Sequence, residues 1–243
     1  MMSDRMINFN EMNSIPNAFK HISFVSSFLD LVATDFRGSI NALCWDRTLK
    51  GDFQEIVQKL KLRDNLMTVQ REDLMGLDLT EDGQIARAVI LNDLNLLEEQ
   101  GASPILNVID HYESDGALEG FPTDVYSFHV DRSPVPTDTY LCTYYGDASE
   151  LVSSDQAIQK ITVPEVREQL KKLYQGPPEG FEDFLTENFF DLHYATLPGA
   201  EIYQMHCGQL WKLAVDHPES AVKPCVHRAP RERLGQRRLL LIC

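Results

Sequence analysis

Two side chains that could bind a metal ion stand two positions apart in the stretch FHVDR, residues 128–132. The surrounding segment DVYSFHV, 124–130, predicts a β-strand, and residues i and i+2 of a strand lie on the same face. His129 and Asp131 would therefore point in the same direction. A buried carboxylate is costly unless it is paired or bound to a metal ion. If this face is interior, the pair indicates a polar partner or a metal site.

A third candidate ligand lies near the C-terminus, where His227 stands in KPCVHRAP ahead of the strand-like segment RRLLLIC, 237–243. Two imidazoles and one carboxylate on one side of a metal ion leave coordination positions open, as in non-haem Fe(II) oxygenases. A 2-oxoacid co-substrate would chelate the iron, and its far carboxylate would need a fixed cation. The planar fork of an arginine supplies such a cation, so Arg238 and its neighbour Arg237 are candidate co-substrate-binding residues.

These residues resemble the motif of the double-stranded β-helix Fe(II)/2-oxoglutarate-dependent dioxygenase superfamily. The words FHVDRSPVP, LPGAEIY, PCVHRAP and GQRRLLLIC are similar, more narrowly, to an uncharacterised bacterial domain-of-unknown-function family with an HxD…HR(S/A)P…RLLL pattern. The resemblance implies that His129, Asp131 and His227 bind iron and form the catalytic centre. It also implies that Arg238 anchors 2-oxoglutarate, although strand parity leaves Arg237 as an alternative. The family pattern continues TYYG with Gly-Thr/Ser-x-Trp, whereas this chain reads TYYGDASELV.

A closed zinc site is an alternative, because Cys225 and His227 are also two positions apart. With the HxD pair they would supply four ligands, which is typical of structural zinc, and His206 and Cys207 offer further ligands. The simplest structural interpretation is a buried His–Asp hydrogen bond and a Cys225 that packs as a small apolar residue. Four other histidines have no partner at ligand spacing and are predicted to be solvated or capping residues: His21, His111, His193 and His217.

The charge of the chain restricts its partners. Among 243 residues, 37 are acidic and 22 are basic, which gives a formal net charge of −15. Such a surface disfavours nucleic acids and anionic membranes. No apolar run of about 18 residues predicts a transmembrane helix, and the N-terminus lacks the apolar core of a signal peptide. We therefore expect a cytoplasmic protein that acts on a small molecule, with its oligomeric state left open.

Periodic apolar residues predict the elements that position these groups. Helices are predicted at 51–61, 81–100, 162–174 and 179–192, with capping-box spacing at Asp52 and Thr162. The last of them would present one apolar face made of Phe181, Phe184, Leu185, Phe189 and Leu192. Strands are predicted at 40–45, 124–130, 139–145, 200–215, 223–228 and 237–243.

The fold class expected from these elements is α+β, in a single domain over 1–243. Residues 1–115 would form a helix-rich part, and 116–243 a double-stranded β-helix core of the jelly-roll or cupin type with helices packed outside. The function expected is an Fe(II)-dependent oxygenase that uses 2-oxoglutarate to hydroxylate a small substrate. The alternative is a zinc-binding or small-molecule-binding barrel of the same fold without redox turnover.

Overall fold

The computed structural model describes residues 19–112, 121–231, 233 and 235–243. Its strands are β1 (Ile22–Val25), β2 (Ala42–Trp45), β3 (Leu66–Thr68), β4 (Ile105–Ile109), β5 (Asp138–Tyr145), β6 (Glu150–Val152), β7 (Ala157–Gln159), β8 (Tyr194–Thr196), β9 (Ile202–Gln204), β10 (Leu210–Ala214), β11 (Val226–Arg228) and β12 (Arg238–Ile242). Its α-helices are α1 (Phe28–Ala33), α2 (Phe53–Lys59), α3 (Arg71–Met75), α4 (Glu81–Glu99), α5 (Pro164–Leu173) and α6 (Phe181–Glu187).

Seven strands form one large mixed sheet in the order β1-β2-β10-β5-β12-β4-β3. The pair β1–β2 is parallel and the other neighbours are antiparallel. The interior strand β12 alternates between two cores: Leu239 and Leu241 pack under the helices, whereas Leu240 packs on the opposite face. Alternation of this kind explains why a strand covered on both faces reads as a continuous apolar run.

Two smaller sheets face the inner side of the large one. Their orders are β11-β6-β9 and β7-β8, and His129 connects them through single-residue bridges to His227 on one side and His193 on the other. Leu151 of β6 and the buried Cys225 share an apolar cluster with Leu240 of the large sheet. The described residues therefore form two β layers with an apolar core between them.

Helices cover the outer face of the large sheet, and two of them begin and end close to where the sequence predicts. Helix α2 starts at the predicted cap, where the Asp52 side chain accepts a hydrogen bond of 2.9 Å from the Glu55 N–H. Helix α4 starts after Thr80, whose hydroxyl accepts a bond of 3.2 Å from the Gly83 N–H. Ile56 of α2 and Ile90 of α4 are fully buried in the core beneath them.

The predicted helix at 162–174 is present, but its predicted cap is wrong. Helix α5 starts at Pro164 after Val163, because the Thr162 hydroxyl donates backwards to the Gln159 carbonyl at 2.7 Å. Proline favours the first helical position, where its missing N–H leaves no bond unmade. The apolar stripe that the sequence predicts for this helix, Val166, Leu170 and Leu173, is also incomplete, since Leu173 is 42% exposed.

The predicted helix at 179–192 ends early. Helix α6 stops at Glu187, and a short 3₁₀ turn follows at Phe190–Leu192. Phe189 is therefore not on the buried face: it is 59% exposed, and Phe190 is buried in its place.

Two predicted strands differ in the structure. The segment 124–130 starts as a turn, because the Asp124 side chain accepts the Tyr126 N–H at 3.1 Å and the Asp124 carbonyl accepts the Ser127 N–H at 3.2 Å. Aspartate favours such turns through this local bond, and of the segment only His129 makes strand bridges. The segment 200–215 divides into β9 and β10, which belong to different sheets. The predicted strands at 40–45, 139–145, 223–228 and 237–243 are confirmed as β2, β5, β11 and β12.

The α+β class is confirmed, with six α-helices and a large mixed sheet in the described part of the chain. Within those same residues the sheets do not close into a barrel. Strands from 1–115 and from 116–243 pair within the large sheet, since β4 lies beside β12 and β2 beside β10. Among the described helices, none is both long and apolar enough to cross a bilayer.

Candidate metal centre

The two histidines of the predicted triad lie side by side because their backbones pair. The His129 N–H donates to the His227 carbonyl and the His227 N–H donates to the His129 carbonyl, each at 2.9 Å. Residues that exchange both bonds in an antiparallel pair carry their side chains on the same face. The two ring centroids are 4.6 Å apart.

One nitrogen of each imidazole is bound to the backbone. Nδ1 of His129 is 2.8 Å from the Ser127 carbonyl oxygen, and Nδ1 of His227 is 3.2 Å from the Cys225 carbonyl oxygen. Because a carbonyl oxygen only accepts, the neutral form of each ring carries its hydrogen on Nδ1 and its lone pair on Nε2. This is the tautomer that a metal-binding histidine needs when it binds through Nε2.

Asp131, two residues after His129, completes the group. Its Oδ2 lies 3.7 Å from Nε2 of His227 and accepts a hydrogen bond of 2.5 Å from the Thr139 hydroxyl on β5. Its backbone carbonyl accepts the Asp216 N–H at 2.8 Å. Asp131 is thus fixed at two points: its carboxylate by a side chain of the large sheet, and its backbone by the segment that follows β10.

Ligand atoms of His129, Asp131 and His227 all lie within 4.8 Å of one another, and no other group of three or more possible ligands is found among the described residues. Metal–ligand bonds of about 2.0–2.2 Å place two ligand atoms about 3–4 Å apart. The 3.7 Å between His227 and Asp131 already falls in that range, so the residues fit a mononuclear metal ion.

The electrostatics of the group favour the ligand protonation states. Burial, together with the neighbouring His227, lowers the pKa of His129 to about 4. Burial raises the pKa of Asp131, but His227, the Thr139 hydroxyl and His129 outweigh it, so the net pKa is below its ordinary value. At neutral pH the group therefore presents a neutral imidazole and a carboxylate, the forms that bind a divalent cation.

An open cavity of about 820 Å³ lies against His129 and Asp131. A third histidine, His193, lines it as well and has its ring centroid 5.7 Å from that of His129. The prediction that His193 is solvated is wrong, because it is only 5% exposed. Burial lowers its pKa to about 3, with His129 and Lys160 adding to the effect.

The two candidate arginines lie outside the lining of this cavity. The guanidinium of Arg237 points to the outer layer, with Nε 3.8 Å from Asp110 and Nη1 3.5 Å from the Val57 carbonyl. Arg238 is 1% exposed and shares the inner face of β12 with Leu240, and its Nη2 lies 3.5 Å from the Ser149 hydroxyl. The arginine that does line the cavity is Arg132, which directly follows Asp131.

The cysteines of the alternative zinc site lie apart from the triad. Cys225 is 1% exposed and packs in the apolar cluster between the sheets, where burial raises the pKa of its thiol. Cys207 lies with His206 at a different surface cavity, beside Gly146. Neither cysteine belongs to the group of ligand atoms around His129.

Sequence reasoning missed His193, Thr139 and the burial of His21, which is 2% exposed. A hydroxyl at the start of a strand carries no spacing signal toward a carboxylate in another segment. His193 reaches the site because the Val130 N–H bonds to the Leu192 carbonyl at 3.1 Å and the Tyr194 N–H to the Phe128 carbonyl at 2.8 Å. Such a contact between distant segments is invisible in a local motif.

Comparison with known proteins identifies no relative: no protein-family model, curated protein or solved structure matches this chain.

Proposed function

We propose that the protein is a mononuclear Fe(II)-dependent oxygenase that uses 2-oxoglutarate to hydroxylate a small molecule. The observation that carries the proposal is the His129–Asp131–His227 group, whose ligand atoms lie within 4.8 Å of one another and two of whose members, His129 and Asp131, line an open cavity. Two imidazoles and one carboxylate are a typical ligand set for non-haem Fe(II) with open positions. When bound, the metal would supply the redox chemistry that side chains lack.

Neighbouring groups of the chain fix the tautomers and the orientation of the proposed ligands. The Ser127 and Cys225 carbonyls fix the imidazole tautomers, and the Thr139 hydroxyl orients the carboxylate. Second partners of this kind commonly account for 10- to 100-fold in metal affinity. The two facing β layers also support a double-stranded β-helix as the finer description of the fold, which we propose with the function.

Arg238 is proposed as the anchor for the far carboxylate of 2-oxoglutarate. Its place on the inner face of β12 and its burial support this role, since a buried guanidinium binds a carboxylate through two parallel bonds. Arg237 points to the outer layer, toward Asp110, so it serves as the matched control.

A second candidate is a metal-binding protein of the same fold without redox turnover. The observation that favours it is that neither candidate arginine lines the cavity beside His129. In that case zinc or another divalent ion would occupy the same three ligands, and 2-oxoglutarate would not bind.

Metal titration tests the centre itself. We expect wild-type protein to bind one Co(II) or anaerobic Fe(II), and His129→Ala and His227→Ala each to lose it while the circular dichroism spectrum stays unchanged. His111→Ala is the control, because that side chain is exposed and lies outside the group. Stoichiometric metal retained by either triad variant contradicts the proposed centre.

Addition of 2-oxoglutarate to the anaerobic Fe(II) protein then separates the two functions. We expect a weak visible absorption band that requires both additions. Arg238→Lys keeps a positive charge but loses the bidentate fork, so it should raise the 2-oxoglutarate Kd by about tenfold or more, and Arg237→Lys should not. No band in metal-loaded wild-type protein would favour the non-redox candidate.

A further inference from the structure

The backbone of Phe189 adopts a conformation that is unfavourable for its residue type. It has φ 61° and ψ 12°, and among the described residues every other positive φ belongs to a glycine. Phe189 directly follows Asn188, the residue that caps the end of α6, at the position where helices usually place glycine. A side chain with a Cβ is strained in the left-handed region, so glycine would be the less costly residue here.

The side chain of Phe189 adds a second unfavourable feature, because it is 59% exposed. The left-handed turn places the next residue, Phe190, in an apolar cluster with Phe181 and Leu185, and leaves the Phe189 ring outside. The ring gains little from burial in the protein itself. It lies instead at the wall of the cavity that His129 and Asp131 also line.

Two hydrogen bonds fix Phe189 relative to the proposed metal ligands. The Leu192 N–H donates to the Phe189 carbonyl at 3.1 Å, and the Val130 N–H donates to the Leu192 carbonyl at 3.1 Å. Val130 lies between the two ligands of the HxD pair. The position of the exposed ring is therefore tied to the segment that carries the metal site.

The charges around the cavity restrict the kind of substrate that the Phe189 ring can contact there. Asp124, Asp131 and Asp216 line the cavity together with Arg132. That arginine is already bound to two carboxylates, with Nη2 2.5 Å from Asp191 and Nε 3.1 Å from Asp216. Besides histidines and hydroxyl residues, the described lining offers apolar surface and carboxylates. Arg132 is engaged by two of the surrounding carboxylates, which disfavours a strongly anionic substrate.

We infer that Phe189 is a substrate-positioning residue whose exposed ring receives an aromatic group of an uncharged or cationic small molecule bound beside the metal centre. This inference rests on the proposed function, because it assumes a metal ion at the triad. Aromatic rings attract one another in offset or edge contacts and gain further from the apolar area they bury. Other apolar residues of the cavity lining, Val125, Leu192 and Pro134, would surround the rest of that group.

Two chelating probes test the inference on the Co(II)-loaded protein. Acetohydroxamate and benzohydroxamate bind a metal through the same two oxygens, and only the second carries a phenyl ring. The Co(II) absorption spectrum reports the Kd of each probe. In wild-type protein we expect benzohydroxamate to bind about tenfold more tightly than acetohydroxamate.

Phe189→Gly should abolish this preference while leaving the acetohydroxamate Kd unchanged, and Phe189→Tyr should preserve it. Leu173→Ala is the matched control, because this side chain is similarly exposed on the neighbouring helix and does not line the cavity. A preference that persists in Phe189→Gly overturns the inference alone. Equal weakening of both probes also overturns it, since Phe189 would then support the metal segment. If neither probe changes the Co(II) spectrum of wild-type protein, the bound metal offers no open positions, and the proposed function fails together with this inference.

Discussion

Thr139 contacts the proposed centre without being a ligand. Its hydroxyl donates to Asp131 Oδ2 at 2.5 Å, and loss of such a partner frees the carboxylate to rotate. We predict that Thr139→Val weakens Co(II) binding by about 10- to 100-fold, as measured by competition with a chromogenic chelator. Thr143→Val is the control, because Thr143 is also buried on the same face of β5 and does not contact Asp131. Equal losses in the two variants would show that the effect is general loosening of the strand.

His21 makes the stability of the protein dependent on pH. The imidazole is 2% exposed and neither of its nitrogens has a hydrogen-bond partner among the described residues. Burial lowers its pKa to about 4, although Asp155 opposes the shift. Below about pH 6.5 the unfolded chain takes up a proton that the folded protein does not accept until about pH 4. Acidification within that window therefore favours unfolding.

We predict that His21→Leu reduces the loss of stability between pH 7 and pH 5 by about 2 kcal/mol. The measurement is the free energy of unfolding in urea at the two pH values, for wild type and variant. His129 and His193 also have lowered pKa values, so both proteins keep a residual dependence of the same sign. An unchanged difference between the two pH values would mean that His21 is not neutral in the folded protein.

At the level of elements, the end of α6 places a strained and exposed residue next to a buried one. Phe189 is strained at φ 61° and exposed, whereas Phe190 is 4% exposed. We predict that Phe189→Gly raises the free energy of unfolding by about 1 kcal/mol, because relief of the left-handed strain exceeds the entropy cost of glycine. Phe190→Ala should lower it by about 3–5 kcal/mol. Urea unfolding measures both, and destabilisation by Phe189→Gly would show that the exposed ring packs better than its surface area indicates.

A comparison of α6 with α2 and α4 shows which parts of the fold the sequence could predict. Helix α2 was predictable because a capping side chain, Asp52, and an apolar stripe agree, and helix α4 because its apolar pattern is long. At Phe189 and Phe190, two identical side chains are adjacent, so periodicity cannot decide which one is buried. Tertiary contacts with Phe181 and Leu185 decide it.

The candidate site was predictable to a similar extent. The spacing of His129 and Asp131 predicts a shared face in any extended segment, and it holds although the segment around them starts as a turn. The contribution of His193 depends on hydrogen bonds between residues 128–130 and 192–194. No local pattern encodes that pairing, because it exists only once the two smaller sheets lie beside each other.

On the scale of the whole molecule, a buried ion pair joins the helical layer to the sheet. Asp93 of α4 is fully buried and accepts hydrogen bonds from Arg47 at 2.8 Å and from the Tyr144 hydroxyl on β5 at 2.7 Å. Arg47 also donates to the Gly208 carbonyl at 2.8 Å. Tyr144 is packed in the core and also makes this polar contact, and burial raises the pKa of its hydroxyl. Strand β5 carries Tyr144 on its outer face and Thr139 on its inner face.

We predict that Asp93→Ala lowers the free energy of unfolding by about 3–5 kcal/mol, because it leaves a buried arginine without its carboxylate. Glu98→Ala is the matched control on the same helix. Its pair with Arg71 has a similar length of 2.8 Å, but the two side chains are 49% and 37% exposed, so its loss should cost less than about 1 kcal/mol. Urea unfolding measures both variants.

The Co(II) affinity of the Asp93→Ala variant then shows whether the helical layer helps to position the metal ligands. Asp93 contacts β5 through Tyr144, whereas Asp131 contacts it through Thr139 on the opposite face. Distant sites without shared partners are additive to within about twofold in a binding constant. We therefore expect folded Asp93→Ala protein to keep the wild-type Co(II) affinity within that factor. A larger loss would show that the helices set the position of Thr139, and that the outer layer takes part in the site as well as in the stability of the fold.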